Sequence, residues 1–293
     1  FAALLTAHQD TRFIAPAVDS FLKQEYQNFI LYVVADDCDI SDLHFTDDRI
    51  VILKPETALH SKIKSISYAM DNFKTEPDVI VIFDSDNLVH PLYLKNLNQY
   101  FQQGFEVCQT HMLSKNIDNR YARLDSIGHI YYTFYERLCK MKLGLSSAIL
   151  GLGVAVSTKL YREMNYQTTI GGFDKKLQSQ MARRVKQIAF AEDAVVYDEK
   201  VEDASVLETQ RTRWIFTYFK YFKDSRGLMA SGIKNANLGQ FLLGLTMLRP
   251  PMLLLMGATG LLMIISLFIK PVIFIGWVVL LFLFVLNFII TIA

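Results

Sequence analysis

Val79-Ile80-Val81-Ile82-Phe83-Asp84-Ser85-Asp86 is the stretch on which the fold turns. Five apolar side chains in a row, four of them β-branched, read as a strand covered on both faces, as strands of parallel sheets are. In an extended backbone, residues i and i+2 share a side, so Asp84 and Asp86 converge just past the strand's carboxyl end. Residues 1–5, 29–34 and 49–53 have the same apolar, Val/Ile/Phe/Leu character and also give way to polar residues. Between the first two runs, residues 16–24 place Val18, Phe21 and Leu22 at helical spacing. Between the last two, residues 62–70 place Ile63, Ile66 and Met70 on one helix face. Strand and helix alternate, which predicts a doubly wound α/β sheet with its ligand at the carboxyl ends of the strands.

Those ends carry His8-Gln9-Asp10, Asp36-Asp37 and Asp84-Ser85-Asp86, with no glycine-rich phosphate loop of either common type. Phosphate charge must then be met by a cation. Paired carboxylates are hard oxygen donors that select Mg²⁺ or Mn²⁺, and such an ion can bridge a diphosphate leaving group. A solvated strand-end turn would also use Asp-x-Asp, so the pair gains meaning only from its surroundings.

The chain of 293 residues, 52% of them hydrophobic, has room for one large domain and an appendage. No acid follows Asp224, whereas Arg226, Lys234, Arg249 and Lys270 do, so the first 224 residues carry 26 basic against 29 acidic side chains, net −3. A mildly acidic head argues against nucleic acid as a partner. Cys38, Cys108 and Cys139 are odd in number and unpaired in spacing, which fits a reducing compartment without structural zinc. Phe1 opens on a strand already under way rather than on a signal peptide, and further sequence is expected ahead of it.

The acid-free tail reads as membrane. Residues 251–269 are an uncharged run of 19, about 28 Å as a helix against a hydrocarbon core of ~30 Å. Residues 272–293 form a second run, separated from the first by Lys270 and Pro271, so a tight transmembrane hairpin is expected; a buried hairpin of a soluble protein is the alternative. Basic residues cluster before the first run, which places the head in the cytosol and the protein in the cell or inner membrane. The aromatic, basic stretch 214–222 and the apolar stretch 238–248 suit helices lying in the membrane interface, although a core helix would have similar patterning.

With Gln210-Arg211-Thr212-Arg213-Trp214 added to the acidic strand end and the tail, the chain resembles the family 2 glycosyltransferases of GT-A fold. Within them it is most similar to the membrane-bound branch that includes cellulose, chitin and hyaluronan synthases. The resemblance covers nearly the whole chain. It implies a GT-A catalytic domain over 1–204, a Gln-x-x-Arg-Trp segment with interface helices over 205–249, and two transmembrane helices over 250–293. It implies transfer of a sugar from a nucleotide sugar, a UDP-sugar by the uridine-type contacts below, to a glycan or lipid acceptor with inversion. Partner subunits of a polysaccharide machinery are an associated expectation. So is the alternative that the chain is a non-catalytic nucleotide-sugar-binding subunit, since the His8 and Lys62 segments depart from the family pattern. Two spans are few for a translocating channel, which favours single or oligosaccharide-scale transfer.

Carried over position by position, the resemblance implies that His8 and Asp10 lie at the nucleobase. Asp36 would accept the N3 proton of uracil, Lys62 would lie at the nucleotide, Asp84 near nucleotide and metal, and Asp86 on the metal. Gly151 and Gly153, in the Leu-Gly-Leu-Gly stretch, would let an acceptor sugar approach the backbone, together with Gln210 and Trp214; a tightly packed strand would need the same glycines. Arg213 would meet the diphosphate and Trp214 would offer the acceptor a stacking floor.

The family's catalytic base is the Asp of an acidic pair that opens an amphipathic helix. Leu177, Met181 and Val185 mark such a helix, with 188–190 a short strand, a turn, and 194–197 a second strand. That order assigns the base to Asp174 in Gly171-Gly172-Phe173-Asp174, with Asp193 of the Glu192-Asp193 pair as the alternative. Asp174 could equally be a helix cap.

Overall fold

The computed structural model of the chain describes residues 1–164 and 173–293. Eight strands form one mixed sheet: β1 (Ala2–His8), β2 (Ile30–Asp36), β3 (Ile50–Leu53), β4 (Val79–Asp84), β5 (Leu88–Val89), β6 (Val107–Ser114), β7 (Val154–Ser157) and β8 (Ala189–Asp198). Their order in space is β3-β2-β1-β4-β7-β6-β8-β5. The first four are mutually parallel, β7 runs antiparallel to β4 and β6, and β8 is parallel to β6. The apolar runs read from the sequence are therefore the parallel half of the sheet, with β1 and β2 each running further than expected, to His8 and Asp36.

Burial of both faces explains the unbroken hydrophobicity of these strands. On one face lie α1 (Ile14–Leu22) and α3 (Tyr93–Gln102), packing Val18, Phe21, Tyr93 and Leu97 against Leu5, Val33 and Phe83. On the other lie α2 (Lys62–Asp71), α6 (Thr158–Met164) and α7 (Phe173–Ala182), which bring Ile66, Leu160, Leu177 and Met181 onto Leu4, Val34 and Ile82. Between β6 and β7 the chain makes α4 (Arg120–Thr133), a π-helical turn (Phe134–Leu138) and α5 (Cys139–Lys142).

One expectation is corrected here. Residues 188–190 and 194–197 are not two strands around a turn: Ala189–Asp198 is the single strand β8, Ile188 lies just ahead of it, and Val185 lies beyond the end of α7. Thr110 pairs with Ala191 and His111 with Val195, so Glu192, Asp193 and Ala194 bulge out of register. The bulge exposes Glu192 and Asp193 while keeping Ala194 buried, which is why the sequence looks like a polar turn.

The tail begins with α8 (Ala204–Lys220), capped by Asp203, whose carboxylate accepts from the amides of Ser205 and Val206. The chain then bends at Tyr221 into α9 (Phe222–Lys234) and α10 (Leu238–Leu248). A Cβ on Gly232 would stand 2.4 Å from the amide nitrogen of Phe241, so α9 and α10 approach as closely as they do only because that side chain is missing. The stretch 238–248 therefore has two faces: Leu243 and Met247 join the core of the head, whereas Leu238 and Leu245 stay exposed.

Two apolar helices follow, α11 (Met252–Ile269) and α12 (Pro271–Ile292). Of these, α12 is long and apolar enough to cross a membrane, with mean hydropathy 2.9 over an 18-residue window and none of that window buried; α11 is shorter. The head touches α12 through α4 and the π-helical turn after it: Tyr131 packs on Phe288 with ring centroids 5.1 Å apart, and Asn287 Nδ2 donates to the Tyr135 hydroxyl at 2.5 Å.

Candidate nucleotide-sugar site

The carboxyl ends of β1, β2 and β4 surround a cleft lined by Thr6, Ala7, His8, Asp36, Ser61, Lys62, Ser65 and Asp84. Four residues singled out from the sequence, His8, Asp36, Lys62 and Asp84, thus meet in one place. Backbone strain concentrates at its rim: Gln9, Asp37 and His60 all take positive φ, at 59°, 53° and 49°. Each costs about 1–2 kcal/mol for a residue with a Cβ, and such strain gathers where a site dictates the backbone.

Asp36 organises that rim. It is buried, and its carboxylate accepts from the amides of Leu59 and His60 at 2.6 and 2.9 Å, while His8 Nδ1 lies 3.0 Å from Oδ2. The His8 and His60 rings meet edge to face, centroids 5.1 Å apart. One carboxylate therefore fixes the loop before α2 and the angle of an imidazole at the mouth of the cleft. Asp10 stands outside this arrangement, in a bidentate pair with Arg12 that holds its carboxyl at about 2.

Lys62 opens α2 and points into the cleft, donating from Nζ to Asp84 Oδ1 at 2.5 Å and to the Gly151 carbonyl at 2.8 Å. That carbonyl belongs to a segment tied down at nearly every residue. The Ile149 amide donates to Gln178 Oε1 of α7, the Leu150 amide to Gln109 Oε1 of β6, and the Gly153 amide to the Ile82 carbonyl of β4. The segment so couples α7 to the lysine of the cleft. Gly153 has φ +62°, and a Cβ there would stand 2.3 Å from Thr110 Oγ1, so its missing side chain is filled by the protein itself.

Asp86 lies beside the cleft, largely buried, facing Asp198 and Asp84. Burial first, then these two carboxylates, raise it to about 7, with Lys115 opposing. Asn87 is buried between the acids: its Oδ1 accepts from the Asp84 amide, and its Nδ2 donates to Asp86 Oδ1 and Asp198 Oδ1. Asp198 is likewise raised, chiefly by burial, and Lys200 Nζ meets it at 3.0 Å. The residues fit a hard divalent cation, for the donors are carboxylate oxygens whose mutual repulsion a cation would relieve. Among the described residues no three such groups are placed to chelate an ion together. One or two carboxylates with substrate phosphates completing the shell is the arrangement these residues can offer.

From Asp198 the charges continue to α8. Lys200 lies 3.7 Å from Asp125, Asp125 pairs with Arg211, and the Arg211 guanidinium stacks 4.4 Å from the Trp214 ring centroid. Within Gln210-Arg211-Thr212-Arg213-Trp214, it is thus Arg211 that is wired to the acidic cluster. Arg213 is exposed, Trp214 is 44% exposed, and Gln210 Oε1 is buried without a hydrogen-bond partner among the described residues. Asn87, Lys115, Asp125, Asp198, Lys200 and Arg211 were not singled out from the sequence; the polar Tyr197-Asp198-Glu199-Lys200 ending of an apolar strand was the available signal.

Of the two base candidates, Asp174 lies in the first turn of α7, within electrostatic range of Tyr221 at the α8–α9 corner. Gly171 and Gly172, which lead into it, lie outside the described residues. Asp193 sits on the β8 bulge, where its carbonyl accepts from Asn96 of α3.

Residues 1–217 match the family described as glycosyltransferase like family 2. The chain belongs to that family. It is a glycosyltransferase of GT-A fold, and the cleft lies where a doubly wound sheet binds its ligand. Among solved structures, it is similar to the 1–349 fragment of S. aureus TarS, with TM-score 0.53 and 15% identity over 83% of this chain and 70% of that one. The same fragment in complex with UDP-GlcNAc gives 0.54 and 15%, over 83% and 71%. A longer TarS structure gives 0.56 and 15%, with 42% of that chain covered. At such identity these likenesses speak for the fold alone. No curated protein matches the sequence.

Proposed function

We propose that this family 2 glycosyltransferase takes its sugar from a UDP-sugar bound in the cleft of His8, Asp36, Lys62 and Asp84, and passes it with inversion to a glycan or lipid acceptor at a membrane. The observation that carries the reading is the meeting of those four side chains at the ends of three parallel strands. Support for uridine comes from the fold shared with TarS, which has been solved with UDP-GlcNAc and with UDP.

In this reading His8, held by Asp36, stacks on the base, and Lys62 meets phosphate once substrate competes for its bonds to Asp84 and Gly151. Mg²⁺ or Mn²⁺ held by Asp86 and Asp84 would supply the charge that neutralises the departing diphosphate. Arg213, exposed on α8, would meet the diphosphate with its guanidinium, while Trp214 offers its face to the acceptor. Asp174 takes the acceptor hydroxyl's proton as oxygen attacks the anomeric carbon and the nucleoside diphosphate leaves. The exposed apolar surface of α12, with α11 packed beside it, supports a membrane anchor, with the hairpin returning to the head's side.

Detergent-solubilised protein incubated with a panel of nucleotide sugars and acceptors, with and without metal, tests this directly. Released UDP from one UDP-sugar, abolished by chelator, is expected. Turnover of purine-nucleotide sugars instead, or full activity in chelator, would overturn the uridine or the metal assignment respectively.

A further inference from the structure

The membrane-proximal end of the head gathers cations that sugar transfer does not use. Lys140 Nζ donates to Thr246 Oγ1 at 2.6 Å, and no carboxylate lies within ion-pair distance of it among the described residues. Arg249, which ends α10, pairs with Glu136 and lies over the Tyr132 ring, 5.0 Å from its centroid. Arg137 is buried, its Nε and Nη1 without a hydrogen-bond partner among the described residues. Burial, and after it Arg249, Arg137 and Lys175, push Lys140 down to about 8, with Glu136 alone opposing. Glu136 is paired with Arg249, which leaves Lys140 without a carboxylate of its own among the described residues.

Beside them, Leu245, Thr246, Leu248, Arg249 and Pro250 line a cavity whose walls are mostly apolar. It opens where α11 leaves the head, at the root of a helix whose Leu254 and Leu255 are exposed. An apolar wall ending in Arg249, with Lys140 bonded to the Thr246 of that wall, at the level where a chain passes from polar head to apolar helices, matches a lipid carrying phosphate: acyl chain on the leucines, phosphate on the cations.

We propose that the cavity at the carboxyl end of α10 binds an anionic membrane phospholipid, its phosphate held by Arg249 and Lys140 and its chain lying on Leu245, Leu248 and Pro250. The inference rests on the membrane reading above. It adds to that reading a specific lipid site apart from the donor cleft. A zwitterionic headgroup is disfavoured because its ammonium would face the like charges of Lys140 and Arg249.

The test titrates the full chain in neutral detergent with dihexanoyl phosphatidic acid, dihexanoyl phosphatidylcholine or inorganic phosphate. The variants are Lys140→Gln, which can keep the Thr246 bond, and Arg249→Gln, with exposed Lys234→Gln as control. Phosphatidic acid should bind at least tenfold tighter than phosphatidylcholine or free phosphate, each site variant should lose about tenfold, and Lys234→Gln should match the wild type. Equal affinity for the two lipids, phosphate binding as tightly as the lipid, or wild-type affinity in both site variants would overturn the proposal. Flotation of the same proteins with phosphatidylcholine vesicles is read separately: failure to float contradicts membrane anchoring, whatever the lipid ratio in detergent.

Discussion

At the scale of single residues, the site separates side chains that organise from side chains that react. Asp36 has its oxygens taken by two amides and an imidazole, so its first duty is to shape the rim. The two candidate bases differ in the same sense, since Asp174 starts the helix coupled to the cleft through Gln178, whereas Asp193 rides a bulge against α3. Asp174→Asn should therefore abolish transfer while UDP affinity stays within about twofold, and Asp193→Asn should be nearly silent; single-turnover kinetics beside a binding titration checks both. A reversed pattern would move the base to Asp193. Lys140 gives a pH prediction of definite sign. Its folded value of about 8 lies below the ordinary lysine value of 10.5, so the unfolded chain binds the proton more tightly. The resulting stability is fully present above pH 10.5 and lost as pH falls through 8. Lys140→Gln should flatten that part of the stability–pH curve, measured by denaturant unfolding between pH 7.5 and 10.5.

At the scale of elements, the site depends on segments that have little freedom. The loop before β7 is hydrogen-bonded to β4, β6 and α7, and it presents the Gly151 carbonyl to Lys62. Gly153 permits this, because it takes φ +62° and leaves room for Thr110. Gly153→Ala adds a backbone penalty to a clash and should cost about 3 kcal/mol of stability, seen as a lower denaturation midpoint with unchanged slope. Thr110→Ser would not rescue it, since the offending hydroxyl remains. The same element-level view explains what the sequence could not say about α8. Gln-x-x-Arg-Trp was legible as a motif, yet which arginine faces the acids depends on helix phase against Asp125. That phase places Arg211 there.

At the scale of the whole molecule, the parallel half of the sheet was readable because its cause is local: four apolar runs, three buried on both faces and the edge strand β3 half-buried, with helical spacing between two pairs of them. The acidic cleft followed, since strand ends in such a sheet share one edge. The other half was not readable. Strands β7, β6, β8 and β5 are neighbours out of sequence order, so nothing near Asp86 in the chain announces Asp198, 112 positions later, or the bulge that makes one strand look like two. The tail was legible as apolar, and its division into 18- and 22-residue helices at Lys270 follows the single charged residue and the proline after it. What joins these scales is one claim, that the cleft under His8, Lys62 and Asp84, with Asp86 beside it, holds a uridine diphosphate and a metal. Calorimetric titration of UDP into the detergent-solubilised chain, with Mn²⁺ and then with chelator, tests it most directly, using wild type, Lys62→Ala and Asp86→Ala. The account predicts Mn²⁺-dependent binding that weakens by tenfold or more in each variant; UDP affinity unchanged by chelator and by both substitutions would contradict it.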